Sequence, residues 1–177
     1  MSKNFTKIKA DDFNYSAFKL IGKDWMQITC KLGDKVNTMT ASWGGIGIMW
    51  GKTVAYIFIR PKRFTKTLVD KTDYLTLQVL SNAMRKTSNY FGTASGFNED
   101  KIKTSGVTVV SDDKYAYFEE SDVVLKCKKL YAQEMKEECF IDKESDTRWY
   151  EAKDYHTMYV VEIDSIEVSD EFKTKLN

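Results

Sequence analysis

The chain is 177 residues long, with a hydrophobic fraction of 42%, 27 Lys plus Arg against 26 Asp plus Glu, and a formal net charge of +1. This length suits one domain, residues 1–177, with a substantial core. Balanced charge gives no field that would attract nucleic acid or an anionic membrane. No apolar run approaches the roughly 18 residues that span a bilayer. The polar N-terminus does not resemble a signal peptide, so we expect a cytoplasmic protein.

The three cysteines, Cys30, Cys127 and Cys139, are odd in number and are not spaced as CxxC. This pattern disfavours both a disulfide framework and a zinc site. Because Cys30 and Cys127 lie in alternating, strand-like stretches, we expect reduced thiols. A redox role for one of them is the alternative.

Hydrophobic alternation and turn residues predict a chain dominated by strands. In chain order, the predicted elements are a helix over Phe13–Ile21, strands over Trp25–Leu32, Val36–Ser42 and Val54–Ile59, a helix over Lys62–Thr72, a strand over Leu75–Leu80, a helix over Arg85–Ala94, and strands over Val107–Val110, Val123–Leu130 and Thr157–Val168. A loop is predicted over residues 95–105. Several strands with a few intervening helices favour an antiparallel barrel over alternating βαβ units.

Residues 37–45 read NTMTASWGG, a strand rich in small hydroxyl side chains that ends at two glycines. Small side chains allow a flat ligand to lie close to the backbone, whose N–H groups can donate to ring nitrogens and carbonyls. Such fixed donors would stabilise the negative charge that a flavin gains on reduction. The alternative is an edge strand with Thr and Ser facing water and Gly44-Gly45 as a turn.

Residues 60–66 read RPKRFTK and follow directly after the apolar strand 54–59. Two arginines, two lysines and a threonine therefore converge where a helix is predicted to begin. Guanidinium groups, a hydroxyl and free N–H groups at a helix start suit a phosphate monoester. The alternative is a solvated basic turn.

Two weaker signals lie later in the chain. The loop SGFNEDK at residues 95–101 offers the Ser95 hydroxyl, the Gly96 N–H and, in a short helix, the Lys101 ammonium group for the same phosphate. A polar loop explains it equally well. His156, the only histidine, opens the last long strand and could donate to a flavin carbonyl or face a nicotinamide. A structural histidine is the alternative.

In this order, the segments resemble the flavin reductase-like family and, within it, the flavoredoxin branch. The resemblance is carried by residues 37–45 (NTMTASWGG), 54–65 (VAYIFIRPKRFT), 100–102 (DKI) and 154–159 (DYHTMY), with branch-typical stretches at 117–121 (YFEES) and 140–142 (FID). It extends from about Trp25 to Ile166, nearly the whole chain. Each motif is moderately specific, and their shared order makes the resemblance strong.

The resemblance implies a mainly β fold, a six-stranded antiparallel Greek-key split barrel with peripheral α-helices. It also implies a homodimer with FMN near the subunit interface. The residues that would line the isoalloxazine ring and ribityl chain are Asn37, Thr38, Met39, Thr40, Ala41, Ser42 and Trp43. The phosphate would be held by Arg60, Arg63, Thr65 and Lys101, with Ser95 and Gly96 nearby. His156 would lie beside the ring, and Phe172 would cover the flavin from the partner subunit.

Several activities remain open. One is an oxidoreductase that passes electrons from NAD(P)H through FMN; another is a flavoredoxin-type carrier that exchanges electrons with a redox protein partner and has no nicotinamide site. No GxGxxG fingerprint is present, but the family resembled here binds nicotinamide without a Rossmann domain. A pyridoxamine-phosphate-oxidase-like FMN barrel, a haem-binding relative and a barrel without cofactor are further alternatives. We assign no general base, because the flavin carries the chemistry.

Overall fold

The computed structural model describes residues 3–176. It contains strands β1 (Phe5–Ile8), β2 (Met26–Leu32), β3 (Lys35–Ala41), β4 (Gly44–Met49), β5 (Lys52–Ile59), β6 (Tyr74–Leu80), β7 (Val109–Ser111), β8 (Ala116–Phe118), β9 (Ser121–Glu134) and β10 (Thr157–Ser169). The helices are α1 (Ala17–Lys19), α2 (Phe64–Val69), α3 (Arg85–Thr93), α4 (Lys101–Ser105), α5 (Lys143–Trp149) and α6 (Asp170–Lys173). Along the described residues, none of these helices is long and apolar enough to cross a bilayer.

The main sheet has eight strands in the order β3-β2-β6-β9-β10-β5-β4, with β1 paired to β10. Every pairing in it is antiparallel. The strands β7 and β8 form a separate two-stranded sheet. The expected mainly β, antiparallel split barrel is confirmed, and the strand count is higher than the six predicted.

The edge strands of the main sheet, β3 and β4, are consecutive in the chain and are joined by Ser42 and Trp43 alone. Within residues 3–176, no backbone ladder joins these two edges, so the barrel stays open at this point. The connection between the two edges is therefore also the segment that the sequence marked as a ligand site.

The core lies between the curved faces of the sheet and follows the predicted alternation. Ile28 and Cys30 of β2, Ile57 and Ile59 of β5, and Leu77 of β6 are buried within one hydrophobic cluster. Period-two alternation places every second side chain of a strand on this inner face. The outer face of β5, which carries Phe58, is free to contribute to a surface cleft.

The cysteines are reduced, with Cys30 and Cys127 buried in strands and Cys139 exposed. Burial raises the pKa of the Cys30 thiol to about 12, because the apolar core disfavours a thiolate. Burial also raises the pKa of Cys127. Across the described residues, no three His, Cys, Asp or Glu side chains cluster as metal ligands.

Local structure differs from the sequence prediction in several places. Gly44-Gly45 was given a turn as one interpretation but opens β4, where Gly44 has a φ of +151° and an added Cβ would lie 2.5 Å from the carbonyl oxygen of Tyr56. Only glycine tolerates both conditions. Strands β1, β4 and β8 and helix α5 were not predicted, because their sequences are short or lack a periodic apolar pattern.

Candidate functional site

Two neighbouring clefts open beside the connection between β3 and β4. The first, which we call the aromatic cleft, has a volume of about 390 Å³ and is lined by Met39, Thr40, Ala41, Ser42, Trp43, Phe58, Arg60, Arg63, Trp149 and His156. The second, which we call the cationic cleft, has a volume of about 330 Å³ and is lined by Met39, Lys62, Arg63, Phe64, Thr65, Gly92, Thr93, Ala94, Ser95, Gly96 and Lys101. Because Met39 and Arg63 belong to both, one elongated ligand can occupy the two clefts together.

The polar side chains of the cationic cleft are held in place by hydrogen bonds. The Asn37 Nδ2 donates to Thr65 Oγ1 at 2.8 Å, which ties β3 to the first turn of α2. Arg63, immediately before α2, donates from Nη1 to the carbonyl oxygen of Gly92 at 2.8 Å. Lys101 Nζ donates to two carbonyl oxygens at the end of α3, at 3.1 and 3.2 Å. The cleft is thus built before any ligand arrives.

Two cations, Arg63 and Lys101, lie close to one another in this cleft. Among residues 3–176, neither Arg63 nor Lys101 forms a salt bridge. Burial, followed by the charge of Arg63, lowers the pKa of Lys101 to about 8. Burial and the charge of Arg60 lower the pKa of Arg63, which remains a cation at neutral pH. An anion between the two groups would relieve their repulsion.

Gly96 brings the backbone of the 95–101 loop close to the floor of the cationic cleft. A Cβ at this position would lie 2.6 Å from Cδ1 of Phe64 and 2.9 Å from Oδ1 of Asn37. A larger residue would therefore push the loop away from both neighbours. The space preserved by Gly96, the two cations and the Thr65 hydroxyl fit a phosphate monoester.

The aromatic cleft is bordered by rings from three separate segments. The ring of Trp43 lies 5.1 Å from that of Trp149, nearly perpendicular to it, and 5.2 Å from that of His156. Trp43 and Trp149 are 38% and 45% exposed, so both present apolar surface to the opening. A planar ring entering this cleft would replace water on these surfaces, which is favourable.

His156 is buried at the inner end of the aromatic cleft. Its Nδ1 shares a hydrogen bond of 2.7 Å with the hydroxyl of Tyr150, which fixes the imidazole plane. Burial, followed by the charge of Arg60, lowers the pKa of His156 to about 4. The imidazole is therefore neutral at physiological pH and can take part in hydrogen bonds without adding a charge.

Arg60 organises the wall around α5. Its guanidinium pairs with Asp154, donates to the carbonyl oxygen of Trp149 at 2.8 Å and lies 5.1 Å from the centre of the Tyr150 ring. Lys62 binds the same Asp154 carboxylate at 2.7 Å. With these contacts, Arg60 holds Trp149 beside the aromatic cleft and places a positive charge in the lining of that cleft.

Most of the predicted site residues come together. Those that line one or both clefts are Met39, Thr40, Ala41, Ser42, Trp43, Arg60, Arg63, Thr65, Ser95, Gly96, Lys101 and His156. Asn37 joins them through its bond to Thr65. The Thr40 hydroxyl donates to the carbonyl oxygen of Ser88 at 2.5 Å, so its side chain braces β3 against α3.

Two predicted residues point elsewhere. Thr38 lies on the opposite face of β3, where its hydroxyl is hydrogen-bonded to that of Thr29 at 2.8 Å. Phe172, expected to cover a flavin of the partner subunit, is 2% exposed and packs against Phe13 and Tyr15 of its own chain. Strand alternation accounts for Thr38, and the apolar pocket under the N-terminal segment accounts for Phe172.

Sequence reasoning missed Phe58, Gly92, Trp149 and Tyr150. Phe58 belongs to the apolar strand predicted over Val54–Ile59 and was given no role there, but it lines the aromatic cleft. Trp149 ends the unpredicted helix α5, and Tyr150 follows it. The cluster of aromatic residues between Phe140 and Tyr155 was the one available signal for this wall.

Comparisons with known proteins agree with this geometry. A family model described as "Flavin reductase like domain" matches residues 22–176. No curated protein matches the sequence.

Among solved structures, an FMN-binding domain of a flavin reductases-like enzyme from Shewanella baltica aligns at a TM-score of 0.69, with 12% identity over 95% of this chain and 78% of that one. Flavoredoxin from Methanosarcina acetivorans aligns at 0.66, with 16% identity over 94% and 76%. An NADH:FAD oxidoreductase from Streptomyces globisporus aligns at 0.60, with 15% identity over 81% and 73%. At these identities the structures establish the shared fold.

The family match covers nearly the whole chain, and it includes both clefts and the strands that build them. The chain belongs to the flavin reductase-like family.

Proposed function

We propose that the protein binds FMN and transfers electrons through it. The observation that carries this proposal is the junction of the two clefts at Met39 and Arg63, with aromatic rings on one side and two unneutralised cations on the other. FMN has the same layout, with a planar ring joined by a polyol chain to a phosphate. The phosphate would lie among Arg63, Thr65 and Lys101, and the ring beside Trp43 and His156.

Each part of the site has a separate task in this proposal. Bound FMN supplies reversible two-electron chemistry. Arg63 and Lys101 bind the phosphate, and Gly96 leaves space for it. The backbone of β3 and the β3–β4 connection orients the ring, while neutral His156 is held for hydrogen bonding by Tyr150. Trp43 and Trp149 exclude water from one side of the ring.

The absorption spectrum of the purified protein, followed by FMN titration, tests flavin binding. We expect the visible absorption bands of an oxidised flavin in the purified protein, or saturable FMN uptake by the colourless apoprotein. Mass identification of the compound released on heating identifies the cofactor. If the purified protein is colourless and takes up no FMN, the proposal is wrong and the protein is a barrel without cofactor.

We infer NAD(P)H as the electron donor, with the flavoredoxin-type carrier as the competing function. The rings of Trp43 and Trp149, which line the aromatic cleft, are partly exposed to solvent, which supports access of a second planar ring to a bound flavin. Stopped-flow mixing of the FMN-loaded protein with NADH and with NADPH distinguishes the two. Bleaching of the flavin band by either nucleotide supports the oxidoreductase. If neither nucleotide bleaches the band, the carrier is favoured.

The expected homodimer is a further part of the proposal. Ile48 and Trp50 of the β4–β5 hairpin, together with neighbouring Tyr131, expose apolar side chains on one surface, as subunit contacts do. Light scattering of the FMN-loaded protein should give twice the mass of one chain. A monomer at micromolar concentration would remove this part of the proposal.

A further inference from the structure

The imidazole of His156 has one ring nitrogen available at the aromatic cleft. Within residues 3–176, Nδ1 is bonded to the Tyr150 hydroxyl, whereas Nε2 has no hydrogen-bond partner. Since His156 lines the aromatic cleft, Nε2 is the nitrogen left to meet a ligand there. A neutral imidazole carries its proton on one nitrogen only, so Nε2 is a donor in one tautomer and an acceptor in the other.

The Tyr150 hydroxyl has two acceptors within reach. Its oxygen lies 2.7 Å from His156 Nδ1 and 3.7 Å from Met135 Sδ. Burial raises the pKa of this hydroxyl, so it keeps its proton at neutral pH. A thioether sulfur is a weak acceptor, and a bare imidazole nitrogen is a better one. The phenolic proton therefore belongs on the line to Nδ1, and the imidazole proton on Nε2.

The opposite tautomer lacks support from the side chains around it. With its proton on Nδ1, His156 would present a bare Nε2, which needs a donor. Arg60 is the cation whose charge the imidazole experiences most, but its guanidinium donates to Asp154 and to the carbonyl oxygen of Trp149. No side chain in the described part of the chain donates to Nε2, so only the Tyr150 hydroxyl selects between the two forms.

We propose that Tyr150 is a positioning residue that fixes His156 as the tautomer protonated on Nε2, so that the aromatic cleft presents a hydrogen-bond donor to the flavin ring. The proposal rests on the proposed flavin function and adds to it the protonated atom and the residue that keeps the proton there. A fixed donor stabilises a ring that gains electrons without any rearrangement of the protein. The site therefore binds reduced FMN more strongly than oxidised FMN.

The first test needs no flavin. His156 is the only histidine, so ¹⁵N NMR of histidine-labelled protein reports on this imidazole alone and distinguishes a protonated from a bare ring nitrogen. We expect a single tautomer with the proton on Nε2. In Tyr150→Phe, which keeps an aromatic ring beside Arg60 and Tyr155, the two signals should move toward the average of exchanging tautomers.

Two variants separate the hydroxyl of Tyr150 from the packing of its ring. Tyr155→Phe is the matched control, because it removes a hydroxyl from the same aromatic wall, where that hydroxyl donates to Asp146 at 2.8 Å. Met135→Leu removes the competing acceptor. Both should leave the tautomer unchanged. A wild-type spectrum with the proton on Nδ1, or an unaltered spectrum in Tyr150→Phe, would overturn the proposal.

The second test measures the consequence for the flavin. Anaerobic calorimetry gives the Kd for oxidised and for reduced FMN in each protein. The preference for reduced FMN should fall about two- to tenfold in Tyr150→Phe, the range given by one hydrogen bond, and stay level in Tyr155→Phe. An unchanged preference in Tyr150→Phe would overturn the role toward the flavin. Failure of the wild-type protein to bind FMN would instead remove the proposed function, while the NMR test would still decide the tautomer.

Discussion

The two clefts are built on opposite principles. In the cationic cleft, Thr65 and Lys101 are 1% and 3% exposed, and each polar group already has a partner in the chain. In the aromatic cleft, Trp43 and Trp149 are 38% and 45% exposed, and their rings contact each other edge to face. The cationic cleft is thus lined by buried, hydrogen-bonded polar groups, whereas the aromatic cleft combines half-exposed rings with the charged side chains of Arg60 and Arg63.

This difference suggests that the cationic cleft determines how tightly the ligand binds, and that the aromatic cleft determines which electron donors and acceptors reach it. A buried, preorganised pair of cations can hold an anionic group strongly, because little rearrangement accompanies binding. An open cleft lined by rings accepts planar groups with less discrimination and leaves room for an electron donor or acceptor. We therefore expect substitutions in the cationic cleft to weaken binding only of flavins that carry a phosphate. Substitutions in the aromatic cleft should weaken binding of FMN and riboflavin alike.

The largest effect should follow Lys101→Met. Loss of a buried charged donor should raise the Kd for FMN about 10- to 100-fold, while the Kd for riboflavin, which lacks the phosphate, changes less than threefold. Fluorescence titration with both ligands measures this ratio. Lys103→Met on the exposed side of α4 is the matched control and should leave both constants unchanged. Equal losses for the two ligands would contradict a phosphate role.

Alkaline pH should reproduce part of this effect without mutation. Because the pKa of Lys101 is lowered to about 8, the free protein loses this charge as pH rises through 8. Between pH 7 and pH 9 the Kd for FMN should therefore rise by up to about tenfold, since one unit beyond the pKa leaves a tenth of the groups protonated. Riboflavin binding should stay level. Lys101→Arg, which keeps its charge, should flatten the FMN profile.

A smaller effect is expected for Trp149→Ala in the aromatic cleft. Removal of this ring should raise the Kd for FMN and for riboflavin by the same factor, about three- to tenfold, the range given by loss of one aromatic contact. Parallel titrations with the two ligands check it. Lys143→Ala, at the exposed start of the same helix, is the control and should leave both constants unchanged. A loss confined to FMN would show that Trp149 acts on the phosphate end.

The smallest effect concerns His156 at neutral pH. With its pKa lowered to about 4, the imidazole should show no titration between pH 5.5 and 8 by NMR. Below pH 6.5 the unfolded chain takes up the proton before the folded one does, so folding stability should decrease as pH falls toward 4. In His156→Gln, the decrease in folding stability between pH 6.5 and pH 4 should be smaller than in the wild-type protein. A titration midpoint near 6.5 would contradict the buried, neutral assignment.

The sequence predicted the sheet where side-chain alternation is strong. Strands β2, β5 and β6 each place β-branched or leucine residues on one face, and their predicted bounds differ from the observed ones by a few residues. Strand β4 has three glycines and no such pattern. It forms because β5 offers it a full set of backbone partners, and pairing of that kind leaves no local signal.

For the site, the sequence predicted the residues that carry their own chemistry. Arg63, Thr65 and Lys101 were recognisable as charged or hydroxyl groups near a helix start or loop. Trp149 was not, because an aromatic residue in a polar stretch has many possible locations. Its position depends on a contact with Arg60, which is 89 residues away in the chain. Thr38 shows the opposite error, since motif membership does not determine which face of a strand a residue occupies.

The two-residue connection between the open sheet edges offers a single position at which the width of the aromatic cleft can be changed. Ser42 and Trp43 connect β3 to β4, and both line the cleft. Adding or removing a residue there would change the width of the opening while the paired registers of β2–β3 and β4–β5 stay as they are. Loop length at this position therefore offers protein engineers a way to resize the entrance without repacking the interior.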